Sequence, residues 1–62
     1  MAQPVTVDDI LNIMVSAHYT RRELADELEV HEQSVGYWLK GNVKRIHPRT
    51  LKGLNRLKRK HL

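Results

Sequence analysis

The sequence predicts a small all-α domain of four helices. Apolar residues recur at spacings of three and four positions in four separate segments, which is the helical pattern. Residues typical of helix starts and ends flank those segments. No segment alternates apolar and polar residues over five positions, as a half-buried strand would.

The length and composition predict a single domain spanning residues 1–62. The chain has 62 residues, no cysteine and no apolar run near the ~20 residues that a bilayer requires. Disulfides and zinc thiolates are therefore excluded. The first residues, Met1-Ala2-Gln3-Pro4, lack the basic and apolar regions of a secretory signal, which predicts a cytoplasmic protein.

The first helix is predicted over about residues 7–17. Thr6, with Asp9 three positions later, has the spacing of a capping box. Five apolar residues then follow at helical spacing: Val7, Ile10, Leu11, Met14 and Val15. We expect this stripe to be the buried face of the helix.

The second and third helices are predicted over about residues 21–28 and 32–40. Thr20 and Glu23 form a second capping-box pattern, and a turn around residues 29–31 separates the two helices. Gly41-Asn42 is a suitable end for the third helix. The inward faces are expected to be Leu24, Ala25 and Leu28, and then Val35, Trp38 and Leu39.

The fourth helix is predicted from Pro48 to about Lys60, because proline suits a first helical position. Its core side is expected to carry Leu51, Leu54 and Leu57. Two uses of this helix remain open. Its basic residues could lie on the phosphates that flank a DNA site, or its leucines, together with Leu62, could pair with a two-fold mate.

Charge divides the chain into two halves. The first 32 residues contain all seven acidic residues and two arginines, a net charge of −5. The last 30 residues contain nine Lys or Arg and no acid, a net charge of +9. A basic half of this kind favours a polyanionic partner and would orient the protein as it approaches nucleic acid.

The third helix has a polar outer face. Gln33, Gly36, Tyr37 and Lys40 recur at i, i+3, i+4 and i+7, opposite the apolar positions. Two short helices joined by a tight turn have the layout of a helix-turn-helix, whose second helix lies in the DNA major groove. There, Gln33 could pair with an adenine edge and Glu32 could accept from a cytosine amino group.

The segment TRRELADELEVHEQSVGYWLKGN, residues 20–42, resembles the helix-turn-helix of the lambda-repressor-like (XRE, Cro) transcription regulators. That family's pattern has a Leu-Ala pair, a branched apolar residue followed three positions later by a large one, and then a Gly-Asn type turn. Here those positions hold Leu24-Ala25, Val35, Trp38 and Gly41-Asn42. The similarity covers about residues 20–51.

The resemblance implies a double-stranded DNA-binding regulator, a repressor of phage, prophage or plasmid origin that acts as a homodimer on a palindromic operator. The implied base-reading residues are Glu32, Gln33, Ser34 and Tyr37. The implied phosphate contacts are Thr20, Arg21, Lys40, Asn42, Lys44, Arg45 and Arg49.

Three residues depart from the family's pattern. Glu29 stands where the turn usually has glycine, and a left-handed non-glycine residue costs about 1–2 kcal/mol, so the turn is either strained or differently shaped. Arg21 replaces a common glutamine, which makes that contact ionic. Gly36 costs about 1 kcal/mol relative to alanine inside a helix. It either leaves room for a phosphate or base methyl or is simply tolerated.

Other functions find little support in the sequence. No two histidines have metal-site spacing, and no phosphate-binding loop, carboxylate pair or Ser/His/Asp arrangement is present, so we expect no metal, cofactor, small-molecule substrate or enzymatic activity. Two alternatives remain. One is a protein-interaction module that docks a partner through its first or last helix, and the other is an RNA-binding domain.

Overall fold

A computed structural model of the protein describes residues 4–61, which form four helices: α1, Val7–Ala17; α2, Arg21–Leu28; α3, Glu32–Leu39; and α4, Pro48–His61. No strand occurs within this range. The predicted all-α class with four helices is confirmed, and the ends of the helices differ from the predicted ones by one residue at most. No helix in residues 4–61 is long and apolar enough to cross a membrane.

Reciprocal capping boxes fix the starts of α1 and α2. The Thr6 hydroxyl accepts from the Asp9 N–H at 3.1 Å, and the Asp9 carboxylate accepts from the Thr6 N–H at 3.1 Å. Thr20 and Glu23 repeat this arrangement at 3.1 and 2.9 Å. Each box satisfies amides that have no partner inside the helix, so these two starts are set by local sequence.

The core lies between the four helices and collects their apolar side chains. Its buried members are Val5, Ile10, Ile13, Leu24, Ala25, Val35, Trp38, Ile46, Leu54 and Leu57. α2 and α3 pack together, and α4 packs against α1 and α2. Gly53 permits a close approach of α4 to Leu28, since a Cβ built there would lie 2.8 Å from Leu28 Cδ2.

The buried face of α1 was predicted correctly at Ile10 and wrongly at Leu11 and Val15. Leu11 is 44% exposed and Val15 is 73% exposed, whereas Ile10 and Ile13 are fully buried. Successive residues turn by about 100° around a helix. The rest of the fold covers the arc that contains Ile10 and Ile13, and this leaves Leu11 and Val15 on the uncovered side.

The leucines of α4 pack against other helices of the same chain. Leu54 and Leu57 are buried and Leu51 is half-buried, so Leu54 and Leu57 are not free to pair with a two-fold mate. Leu62 lies outside the described residues. Thr50, which was not expected in the core, is also buried.

One ion pair joins the two ends of the chain. Lys58 Nζ lies 3.4 Å from Asp9 Oδ2. The Thr6 N–H, which donates to the same oxygen, lowers the pKa of the Asp9 carboxyl, and Lys58 lowers that pKa further, whereas partial burial opposes both. α4 is thereby held to the start of α1.

Candidate nucleic-acid interface

The connection between α2 and α3 is three residues long and includes a strained one. Glu29 has φ 57° and ψ 42°, in the left-handed region. This lets the Val30 N–H donate to the Ala25 carbonyl at 2.9 Å, which closes the helix end. The chain is thus turned within three residues, and the left-handed glutamate costs about 1–2 kcal/mol.

His31 begins α3 in a role that sequence reasoning missed. Its backbone is extended, and its Nδ1 accepts from the Gln33 N–H at 3.5 Å, at the outer limit of a hydrogen bond. His47 does the same at the start of α4, where its Nδ1 accepts from the Arg49 N–H at 3.1 Å. A histidine two positions before a free helix amide is the signal that could have predicted both caps.

α3 separates its apolar and polar residues as predicted. Val35 is fully buried and Trp38 is 6% exposed, whereas Gln33 and Glu32 are exposed and Tyr37 is 49% exposed. The Gln33 side-chain amide donates to the Tyr37 hydroxyl oxygen at 3.1 Å across one helical turn. Two of the four predicted base-reading side chains, Gln33 and Tyr37, therefore lie side by side on the outer face.

The end of α3 folds back to form a pocket of about 550 Å³. Lys40 is the C-cap, Gly41 adopts φ 106°, and the Asn42 N–H donates to the Tyr37 carbonyl at 3.1 Å. Buried Ile46 anchors the segment that follows. The pocket is lined by Ser34, Tyr37, Trp38, Gly41, Asn42, Lys44 and Arg45.

Five of the predicted site residues meet in this pocket: Ser34, Tyr37, Asn42, Lys44 and Arg45. Ser34 is half-buried, and Asn42, Lys44 and Arg45 are exposed, as is Lys40 beside them. Gly41 and Trp38, which also line the pocket, were not predicted as part of the site. Two cations and three hydroxyl or amide groups around one concave surface suit a phosphate group.

The start of α2 lies next to the middle of α3. A Cβ built on Gly36 would lie 3.9 Å from Arg21 Nη1, so the guanidinium reaches across to the glycine of α3. Arg21 is exposed. Thr20 is exposed as well, and its hydroxyl oxygen caps the helix by accepting from Glu23. Thr20 and Arg21 are thus placed at one flank of α3, and the pocket lies at its end.

Arg49 lies apart from this group. It is exposed in the first turn of α4 and lines a second, smaller pocket of about 140 Å³ together with Glu27, Glu29 and Arg56. Two carboxylates therefore share its surroundings, whereas the pocket beside Lys44 and Arg45 has no acidic residue in its lining. Arg49 is not brought together with the other predicted phosphate contacts.

Within residues 4–61 no group of three or more His, Asp or Glu side chains is arranged to hold a metal ion. No protein-family model, curated protein or solved structure matches the chain.

Proposed function

We propose that this protein is a sequence-specific, double-stranded DNA-binding transcription regulator that places α3 in the major groove as the second helix of a helix-turn-helix. One observation carries the proposal: α3 buries Val35 and Trp38 and presents Gln33 and Tyr37 side by side to solvent. A short helix that is anchored by its apolar side and polar on the other side fits a groove wide enough for one helix.

Bases are read by the first turn of α3 in this proposal. Gln33 can donate to N7 and accept from the amino group of an adenine, and Glu32 can accept from a cytosine amino group. Ser34 and Tyr37 complete the set. The Gln33–Tyr37 hydrogen bond holds the amide in place in the free protein, so less side-chain entropy is lost when the amide meets a base.

In this proposal, phosphates are bound at the end of α3 and at the start of α2. Lys40, Asn42, Lys44 and Arg45 lie around the end of the helix, and Thr20 and Arg21 lie at the start of α2. Six or so such contacts imply a log-log dependence of affinity on salt concentration with a slope near −5. Arg49 stays a predicted phosphate contact, although it lines the second pocket together with Glu27 and Glu29.

The regulator acts in the cytoplasm as a homodimer and a repressor, of phage, prophage or plasmid origin. A two-fold dimer presents two copies of α3 about 34 Å apart, which is one turn of DNA, and so selects a palindromic site. The resemblance of residues 20–42 to the lambda-repressor-like helix-turn-helix supports this origin.

Selection of binding sites from random duplex DNA tests the proposal. We expect a palindromic consensus with half-sites one helical turn apart. Recovery of random sequences, or binding that persists unchanged in 0.5 M salt, would reject it, because phosphate contacts weaken steeply with salt. Salt-resistant binding to a protein would indicate an interaction module instead. We do not expect a preference for single-stranded RNA, because proteins bind single strands by stacking the bases on exposed aromatic side chains. Among Tyr19, Tyr37 and Trp38, only Tyr37 is exposed.

A further inference from the structure

We infer that the uncovered face of α1 is a self-association surface at which two copies of this chain pair with their α1 helices antiparallel. The face consists of Asp8, Leu11, Val15 and His18, all of them exposed. At about 100° per residue, Asp8, Leu11 and Val15 lie within an arc of about 60°, and His18 follows at the helix end. Among residues 4–61 the large exposed hydrophobic side chains are Leu11, Val15 and Tyr37, and Tyr37 lies on α3.

The order of residues on this face is complementary to itself. When Leu11 of one copy lies opposite Val15 of the other in an antiparallel pair, Asp8 of the first lies opposite His18 of the second, because both pairs have the same midpoint at position 13. An imidazole N–H can donate to the facing carboxylate. A two-fold axis then repeats both contacts, as an isologous interface requires.

The antiparallel direction also limits charge repulsion. The two Asp8 carboxylates are about 15 Å apart along the helix axis in this pairing, at 1.5 Å per residue. That distance exceeds the screening length of about 8 Å at physiological ionic strength. A parallel pairing would place the two carboxylates together. The acidic character of α1, which has two aspartates in its first turn and no base in its last, therefore favours the antiparallel arrangement.

The surface on α1 is small, and its size determines how strong the association is expected to be. Stable interfaces bury about 800 Å² on each partner, far more than two aliphatic side chains provide. We therefore expect weak association of the free protein, strengthened when two copies occupy adjacent half-sites, because the DNA raises their effective concentration. This use rests on the proposed function, whereas the association itself is measured without DNA, so the two proposals fail separately.

The test is sedimentation equilibrium of the full chain at concentrations from about 10 μM to 1 mM, the range of dissociation constants for weak association. We expect Val15→Glu to lower the association constant by about tenfold or more, since a two-fold interface contains each substitution twice. Ser16→Glu is the matched control: it adds the same charge on the same helix at an exposed position about 100° away. We expect that variant to keep the wild-type constant within about twofold, because it lies outside the face.

A charge exchange tests the register. Asp8→Arg should weaken association by about three- to tenfold, as expected for the loss of two exposed pairs. Asp8→Arg with His18→Asp should restore it, and aspartate, like histidine, tolerates the left-handed backbone found at position 18. Circular dichroism confirms that each variant is folded, and Leu11→Gln replaces Val15→Glu if that variant unfolds. A wild-type chain that stays monomeric at 1 mM, equal effects of the two glutamates, or no restoration by the exchange would overturn the inference.

Discussion

The guanidinium of Arg21 lies against Gly36: a Cβ added to the glycine would lie 3.9 Å from Arg21 Nη1. This is an ordinary van der Waals distance, so nothing inside the protein requires glycine at this position. A glycine in the middle of α3 nevertheless costs stability relative to alanine. In the proposed function, the reason for this glycine is the close approach of DNA.

Gly36→Ala should therefore separate stability from binding. We expect the free energy of unfolding to rise by about 0.5–1 kcal/mol, because alanine is the better helix former. The affinity for the selected DNA site should fall by about tenfold, because an added methyl group in a close contact typically costs 1–3 kcal/mol. Urea unfolding and a DNA titration measure the two effects. A variant that gains stability and keeps full affinity would show that glycine is merely tolerated.

Gly53→Ala is the matched comparison for the stability measurement. It makes the same change inside α4, but the added Cβ would lie 2.8 Å from Leu28 Cδ2, so the end of the Leu28 side chain must shift. We expect the repacking of Leu28 to cancel the gain in helix propensity, so the stability of this variant should lie below that of Gly36→Ala.

Gln33→Ala should change which sequences are bound. We expect a loss of about 1–3 kcal/mol on the selected site and a relaxed preference at one base pair in each half-site, because a bidentate base contact is removed. Binding to an unrelated duplex serves as the control and should stay the same. An unchanged preference in a randomised-site selection would contradict the role of Gln33.

Lys44→Ala should weaken binding to every sequence alike. The side chain borders the α3 pocket, and its loss from a phosphate should reduce the salt slope by about one unit. Lys52→Ala is the control, because Lys52 is exposed on α4 and lines neither pocket. If the two variants reduce the slope equally, Lys44 contributes only to the overall charge.

Asp9 should make the stability of the fold depend on acidic pH. The pKa of its carboxyl is lowered in the folded chain, chiefly by the Thr6 N–H, from an ordinary value of 3.8. The unfolded chain therefore takes up this proton first as the pH falls. The contribution of Asp9 is complete above about pH 5 and is lost as the pH falls through 3.8 toward the folded pKa.

Urea unfolding at pH 7 and at pH values below 4 measures this dependence. Asp9→Asn should flatten it, whereas Lys58→Met should keep most of it, because the backbone hydrogen bond is the larger cause. Equal pH dependence in wild type and Asp9→Asn would contradict the assignment.

Local sequence was sufficient to predict the helices, because their boundaries depend on neighbouring residues. Thr6 with Asp9 and Thr20 with Glu23 identify two starts without knowledge of the rest of the chain. The inner and outer faces of α3 could also be predicted from spacing alone. The apolar residues of this helix, including Val35 and Trp38, fit only one side of it.

The remaining features depend on contacts between distant segments. Whether Leu11 or Ile13 of α1 is buried depends on where the other helices approach, and the periodic pattern of α1 fits more than one arc. The Lys58–Asp9 pair joins positions 49 residues apart. The separation of Arg49 from Lys44 likewise depends on how α4 meets α2. A single sequence contains no direct signal for such pairings.

Two helices end in a non-glycine residue with a left-handed backbone, His18 at φ 57° and Glu29 at φ 57°. Each such residue lowers the stability of the folded protein. Glu29→Gly should raise the unfolding free energy by about 1 kcal/mol, since glycine carries no Cβ penalty in this conformation. Thermal denaturation of the variant measures the gain, and an unchanged or lower midpoint would show that the glutamate side chain offsets the penalty. Glu29→Gly is thus expected to give a protein that is more stable to heat and that keeps every proposed DNA contact.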